Sequence, residues 1–196
     1  MSMTLLDWRR RVAAMYAEVR ASAGRDPAAT AGRFRAERDR LFREHPDSPL
    51  PPEVRAGFRG IPYWPYDPAV RFAADVEPLP AEPVTATSLA GEDFRLERIC
   101  RVRLPIGDLE VYWIAAYGGG VFIPFRDATS GAETYGAGRY LLDTIKGADL
   151  GGSGNRLVLD FNYAYHPLCA YDPRWSCPLA PPANRLVVPV RAGERL

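Results

Sequence analysis

Histidine, cysteine and lysine are scarce in this 196-residue sequence, which carries two, three and one of them. Two histidines, His45 and His166, exclude a multi-histidine metal site. Three cysteines are no disulfide framework for a chain of this size and fit a reducing compartment. Net charge is nearly absent too: 25 basic against 24 acidic side chains leave +1, so no strong field draws nucleic acid or an anionic membrane. No long apolar run exists either. The longest uncharged stretch, Val111 to Phe125, is shorter than a membrane helix of ~20 residues and contains Gly118-Gly119-Gly120 and Pro124. The start, Met1-Ser2-Met3-Thr4-Leu5-Leu6-Asp7-Trp8, lacks the apolar core of a secretory signal. A cytoplasmic protein without a membrane span is expected.

What is present is ordinary globular composition, 47% hydrophobic and 25% charged. The length suits a single domain spanning 1–196, since single domains run to roughly 100–200 residues. Lys146 is the only lysine, so nearly every cation is a guanidinium, a planar fork suited to carboxylate or phosphate.

The pattern divides near residue 45. Leu5, Trp8, Val12, Met15, Tyr16 and Val19 recur at steps of three and four and predict an amphipathic helix. Asp26-Pro27 supplies a cap and a first-turn proline for a second helix. Phe34, Leu41 and Phe42 form its apolar face, and His45-Pro46 stops it. The arginines from Arg33 to Arg43 interleave with Glu37 and Asp39, as on a solvated, ion-paired surface.

From residue 60 to 196 short alternating runs lie between Gly and Pro, predicting about seven strands. They include Val70–Val76, Phe94–Leu104, a hairpin of Val111–Tyr117 with Val121–Phe125 buried on both faces, Arg139–Asp143 and Arg156–Tyr163. Leu186–Val190 completes the set as an edge strand, because of Pro189. The expected fold is mainly β with N-terminal helices (α+β): an antiparallel β barrel or sandwich capped by a helical hairpin. Tyr63-Trp64-Pro65-Tyr66 is expected to plug one end of it.

Two segments are rich in polar residues. In the first, Arg126 and Arg139 bracket a loop containing Asp127, Thr129, Thr134 and Tyr135, which suits either an anion site or an internally paired connection. In the second, strand parity puts Leu157, Leu159, Phe161 and Tyr163 on one face and Val158, Asp160 and Asn162 on the other. A barrel interior lined by Asp160, Asn162 and Arg98 would be a polar pocket. The candidate catalytic residues are therefore Asp160 as base or acceptor, with Tyr135 or Tyr171 as donor. The candidate ligand-binding residues are Arg98, Arg126, Asp127, Arg139 and Asn162. Cys169 and Cys177, with His166 and His45, are weak metal candidates because H-x2-C-x7-C lacks a zinc knuckle; a reduced pair or a disulfide fits better. No cofactor is implied.

The strings Pro124-Phe125-Arg126-Asp127, Thr134-Tyr135-Gly136, Gly138-Arg139-Tyr140-Leu141, Asp160-Phe161-Asn162, Cys169-Ala170-Tyr171, Cys177-Pro178 and Asn184-Arg185-Leu186 resemble domain-of-unknown-function family 1684 of bacteria. Ser48-Pro49-Leu50, the stretch from Gly60 to Asp67 and Ala192-Gly193-Glu194 extend the likeness over nearly the whole chain. His166 departs from it, replacing the family's usual asparagine. The resemblance implies no established activity, substrate or cofactor. Two functional expectations follow: a small-molecule protein, enzyme or binder, with an arginine-lined site for an anionic metabolite, or a non-catalytic interaction module whose polar motifs fix loop geometry.

Overall fold

The computed structural model describes residues 3–22, 24–115 and 117–196. Met1 and Ser2 of the N-terminal reading, Ala23, and Ala116 of the expected Val111–Tyr117 strand lie outside them. Helix α1 spans Met3–Ser22 and buries Trp8, Val12, Met15, Tyr16 and Val19, the stripe that the spacing predicts. Helix α2 spans Pro27–Glu44: the Asp26 side chain accepts from the Ala29 amide, and His45 leaves the helix in an extended conformation ahead of Pro46. A single turn, α3 (Pro52–Arg55), follows.

Seven strands among the described residues form one antiparallel sheet, ordered β5-β4-β3-β2-β1-β7-β6. They are β1 (Arg71–Thr87), β2 (Asp93–Leu104), β3 (Gly107–Ile114), β4 (Val121–Phe125), β5 (Arg139–Asp143), β6 (Gly152–Ser153) and β7 (Arg156–Asp160). The fold is thus mainly β with N-terminal helices. Strand β1 serves two ladders end to end, pairing β7 through Arg71–Asp75 and β2 from Val76 onward. The ladder is open, with β5 and β6 at its edges. One isolated bridge, Tyr140 to Tyr165, brings the chain just beyond β7 back to β5, so the sheet curls without closing continuously.

The main core joins the helices to one face of the sheet: Tyr16, Phe34 and Phe42 meet Val111, Ile123, Leu141 and Phe161. Each fully buried aromatic or aliphatic side chain there is worth roughly 1.5–3 kcal/mol. Alternate residues of β3, β4 and β5 (Tyr112, Phe122 and Tyr140) face a second cluster with Leu96 and Cys177. That explains why the central hairpin reads as buried on both sides.

Two strand expectations fail. The run Arg156–Tyr163 stops at Asp160, whose side chain accepts from the Asn162 amide and turns Phe161–Tyr163 into a 3-10 turn. Strand parity therefore ends at Asp160. Leu186–Val190 is not a strand, because side chains satisfy its last backbone groups: the Val190 amide donates to Asp127 at 2.6 Å and its carbonyl accepts from Arg139 at 2.8 Å. No helix among the described residues is long and apolar enough to cross a membrane.

Candidate functional site

The polar residues singled out by sequence settle in separate groups. Arg139 follows Gly138, whose left-handed φ of 97° and tight approach to the Phe125 carbonyl exclude a side chain. Its guanidinium is 1% exposed and donates to the carbonyls of Ala192, Val190 (2.8 Å) and Glu194 (3.2 Å), and to Asp127 at 3.5 Å. Asp127 also accepts from Thr129 at 2.8 Å, which in turn meets Thr134. Arg126 spends Nε and Nη2 on the Gly136 carbonyl. Of the two arrangements the loop suits, these bonds are those of an internally paired connection between β4 and β5. Arg126 lines a narrow recess of about 100 Å³ with Ser130 and Arg185.

Next to this group lies one that sequence reasoning missed. Glu194 is fully buried and accepts from Arg38 Nε (2.6 Å), Tyr171 OH (2.8 Å) and the His166 amide (2.7 Å). Gly193, at φ 74° and pressed against the Ala164 carbonyl, delivers it. Burial works against the carboxylate, but Arg38 and the His166 groups more than offset it and hold its pKa below the ordinary range. Arg38 departs from the solvated, ion-paired surface expected of Arg33 to Arg43: it is ion-paired but buried, since it stands four residues after Phe34 on the apolar stripe. That spacing is the signal that could have found it. Tyr171, a candidate donor, is committed to Glu194.

Asp160 and Asn162 stand elsewhere. Asp160 is 1% exposed and accepts from Asn162 Nδ2 at 2.8 Å and Tyr66 OH at 3.4 Å. Asn162 exchanges bonds with the Asp67 backbone, 2.8 Å to its amide and 2.7 Å to its carbonyl. Burial raises the Asp160 pKa, with Asn162 and Arg71 opposing. Asp160 forms part of the wall of a cleft of about 440 Å³, together with Arg20, Arg71, Arg156 and the Gly151–Ser153 turn. Arg20 donates to the Asp149 carbonyl and Arg156 to that of Ala73. Arg71 is 35% exposed at its side chain, and its one ion-pair partner among the described residues is Asp160, at 3.6 Å.

Arg98 does not join Asp160; it sits at the β2 bulge, paired with Glu82 at 2.7 Å and Glu110 at 3.4 Å. Tyr135 turns its hydroxyl to the Cys169 carbonyl at 3.5 Å. His45 lies against the helices, 3.3 Å from Asp7, apart from Cys169 and Cys177. Among the described residues no three His, Cys, Asp or Glu side chains group as a metal site.

The sequence model of the protein of unknown function family DUF1684 matches residues 56–195. The chain belongs to this family. No curated protein matches it. The solution NMR structure of an uncharacterized protein from gene locus rrnAC0354 of Haloarcula marismortui is similar, at 36% identity and TM-score 0.60, covering 87% of this chain and 95% of that one. The DUF1684 match takes in the Asp127–Arg139 group, Glu194 and the Arg71, Arg156 and Asp160 side of the cleft, while Arg20 and Arg38 lie outside it.

In this DUF1684 protein His166 makes stability depend on pH. Burial, chiefly, lowers its pKa from 6.5 to about 4, Glu194 opposing and Arg139 and Arg38 adding to the fall. The folded state then refuses a proton that the unfolded chain accepts below pH 6.5. Stability is intact above that pH and declines toward about pH 4, by roughly 2–3 kcal/mol. His166→Asn should flatten this part of a urea-denaturation series against pH, and an unchanged slope would remove His166 as its source.

Proposed function

We propose that this is a cytoplasmic protein that binds an anionic small metabolite in the cleft between the end of α1 and strands β1, β6 and β7. The observation that carries the reading is Arg71: a partly exposed guanidinium, with Asp160 at 3.6 Å as its one ion-pair partner among the described residues, facing a cleft of about 440 Å³. That volume falls within the roughly 300–1,000 Å³ of small-molecule sites. Arg71 would take the anionic group as a fork, with Arg20 and Arg156 adding field. Asp160 would accept a hydrogen bond from the ligand, and its raised pKa suits it to take a proton if the ligand is also a substrate. A chain with three cysteines fits a reducing compartment, and a net charge of +1 gives no reason to expect nucleic acid.

A thermal-shift series with phosphate, citrate and small carboxylates tests it. A ligand at ~100 times its Kd adds about 2.7 kcal/mol, a rise of about 5–10 °C for a chain of this size. Arg71→Ala should lose the response and Arg126→Ala should keep it. Equal responses in wild type and Arg71→Ala would end the proposal. A second reading, an interaction module, is favoured by the bonds of Arg126 and Arg139 to backbone carbonyls, which fix loop geometry, and by Val187, 88% exposed ahead of Pro189.

A further inference from the structure

Cys169 lies on a 3-10 turn, Leu168–Ala170, and Cys177 precedes Pro178, whose carbonyl accepts from Tyr140 at 2.6 Å. The chain between them folds back on itself: the Asp172 amide donates to the Leu168 carbonyl at 3.1 Å, and the Trp175 amide to the Asp172 carbonyl at 3.1 Å. This reversal brings Cys169 against the small apolar cluster that contains Cys177, Tyr112, Phe122 and Tyr140. The Tyr135 hydroxyl lies 3.8 Å from Cys169 Sγ. Their exposures differ: Cys177 is 4% exposed and Cys169 half-buried, so Cys169 is the more accessible of the two. Cys100 is separate, on β2 in the main core.

We propose that Cys169 and Cys177 are a redox-active dithiol, which a low-molecular-weight disulfide converts to an internal disulfide. The neighbouring Cys169 thiol holds Cys177 down at about 6, against burial, while Cys169 itself is pushed up. Cys177 thus waits as a thiolate and acts as base. It takes the Cys169 proton as the Cys169 sulfur attacks the external disulfide. One external sulfur leaves as a thiolate, and the other stays joined to Cys169. Cys177, now a thiol, then attacks Cys169, and the second external sulfur departs with the Cys177 proton. The dithiol has lost two electrons, and the external disulfide has become one thiol and one thiolate. The closed loop contains Tyr171, which donates to Glu194 at 2.8 Å, so oxidation clips a core donor in place.

Glutathione disulfide is the probe. The full chain is equilibrated with it, quenched in acid, denatured, alkylated and weighed. Wild type should keep one alkylatable thiol of its three, carry no glutathione, and melt about 5 °C or more higher, reversibly with dithiothreitol. Cys100→Ser should lose both remaining thiols in the same way. Cys169→Ser should form neither an internal disulfide nor an adduct, because Cys177 is shielded. Three reactive thiols in wild type, a mixed disulfide that never resolves, or pairing that involves Cys100 would each overturn the proposal.

Discussion

Glu194→Ala should cost about 3–5 kcal/mol, the loss expected when one half of a buried ion pair is removed. The Arg38 side chain is 7% exposed and its partner 0%. Truncation strands a guanidinium that solvent cannot reach and leaves the Tyr171 hydroxyl and the His166 amide without their acceptor. The stacking of Arg38 over Phe42 (4.7 Å) and Tyr165 (5.2 Å) survives, but a ring face replaces little of a carboxylate's field. Against a typical total of 5–15 kcal/mol, this is a large fraction. The melting point should fall by about 6–20 °C. Glu194→Gln keeps an acceptor for Tyr171 and should lose less. A double-mutant cycle with Arg38→Ala isolates the pair, since each single variant removes the same contact. Additive losses, or a Glu194→Ala cost below about 1 kcal/mol, would mean that water reaches the pair.

This buried pair also marks the limit of what the sequence reveals. Local rules were enough for the helices, whose caps and stripe depend on residues three or four apart. They found the β3–β4 hairpin, which pairs Tyr112 with Phe122, but placed its first strand at Val111–Tyr117 where β3 runs Gly107–Ile114. They understated β1, which runs through Pro78, Pro80 and Pro83; beyond Asp75 its second edge has no strand partner, so missing amide donors cost little there. They failed where a side chain takes over from a strand neighbour, as Asp160 does after β7 and Asp127 and Arg139 do around Val190. The site residues were named for catalysis and binding from short segments, whereas the contacts that group them join positions tens of residues apart. Arg38 and Glu194 are separated by 156 positions, and no local period connects them. Arg71, at the outer end of a strand, gives no signal at all until the cleft is seen.

Arg139→Ala should cost about 4 kcal/mol or more, and Arg139→Lys about half as much. The reason is geometric. One planar fork serves three carbonyls of the closing segment, those of Val190, Ala192 and Glu194, and also faces Asp127. Alanine leaves Asp127 as an uncompensated charge at 1% side-chain exposure, beside a void the size of a guanidinium. Lysine keeps the charge but concentrates its donors at one point, so it cannot reach carbonyls on both sides of the fork. The same segment carries Glu194, so loosening it also loosens the hold on Arg38. Urea denaturation should show the midpoint falling with an unchanged slope. Hydrogen exchange should show early loss of protection at the Val190 amide, which Asp127 holds at 2.6 Å. If Arg139 were instead a ligand-binding residue, Arg139→Ala would keep its stability and lose a thermal response to anions, which is the opposite result in both measurements.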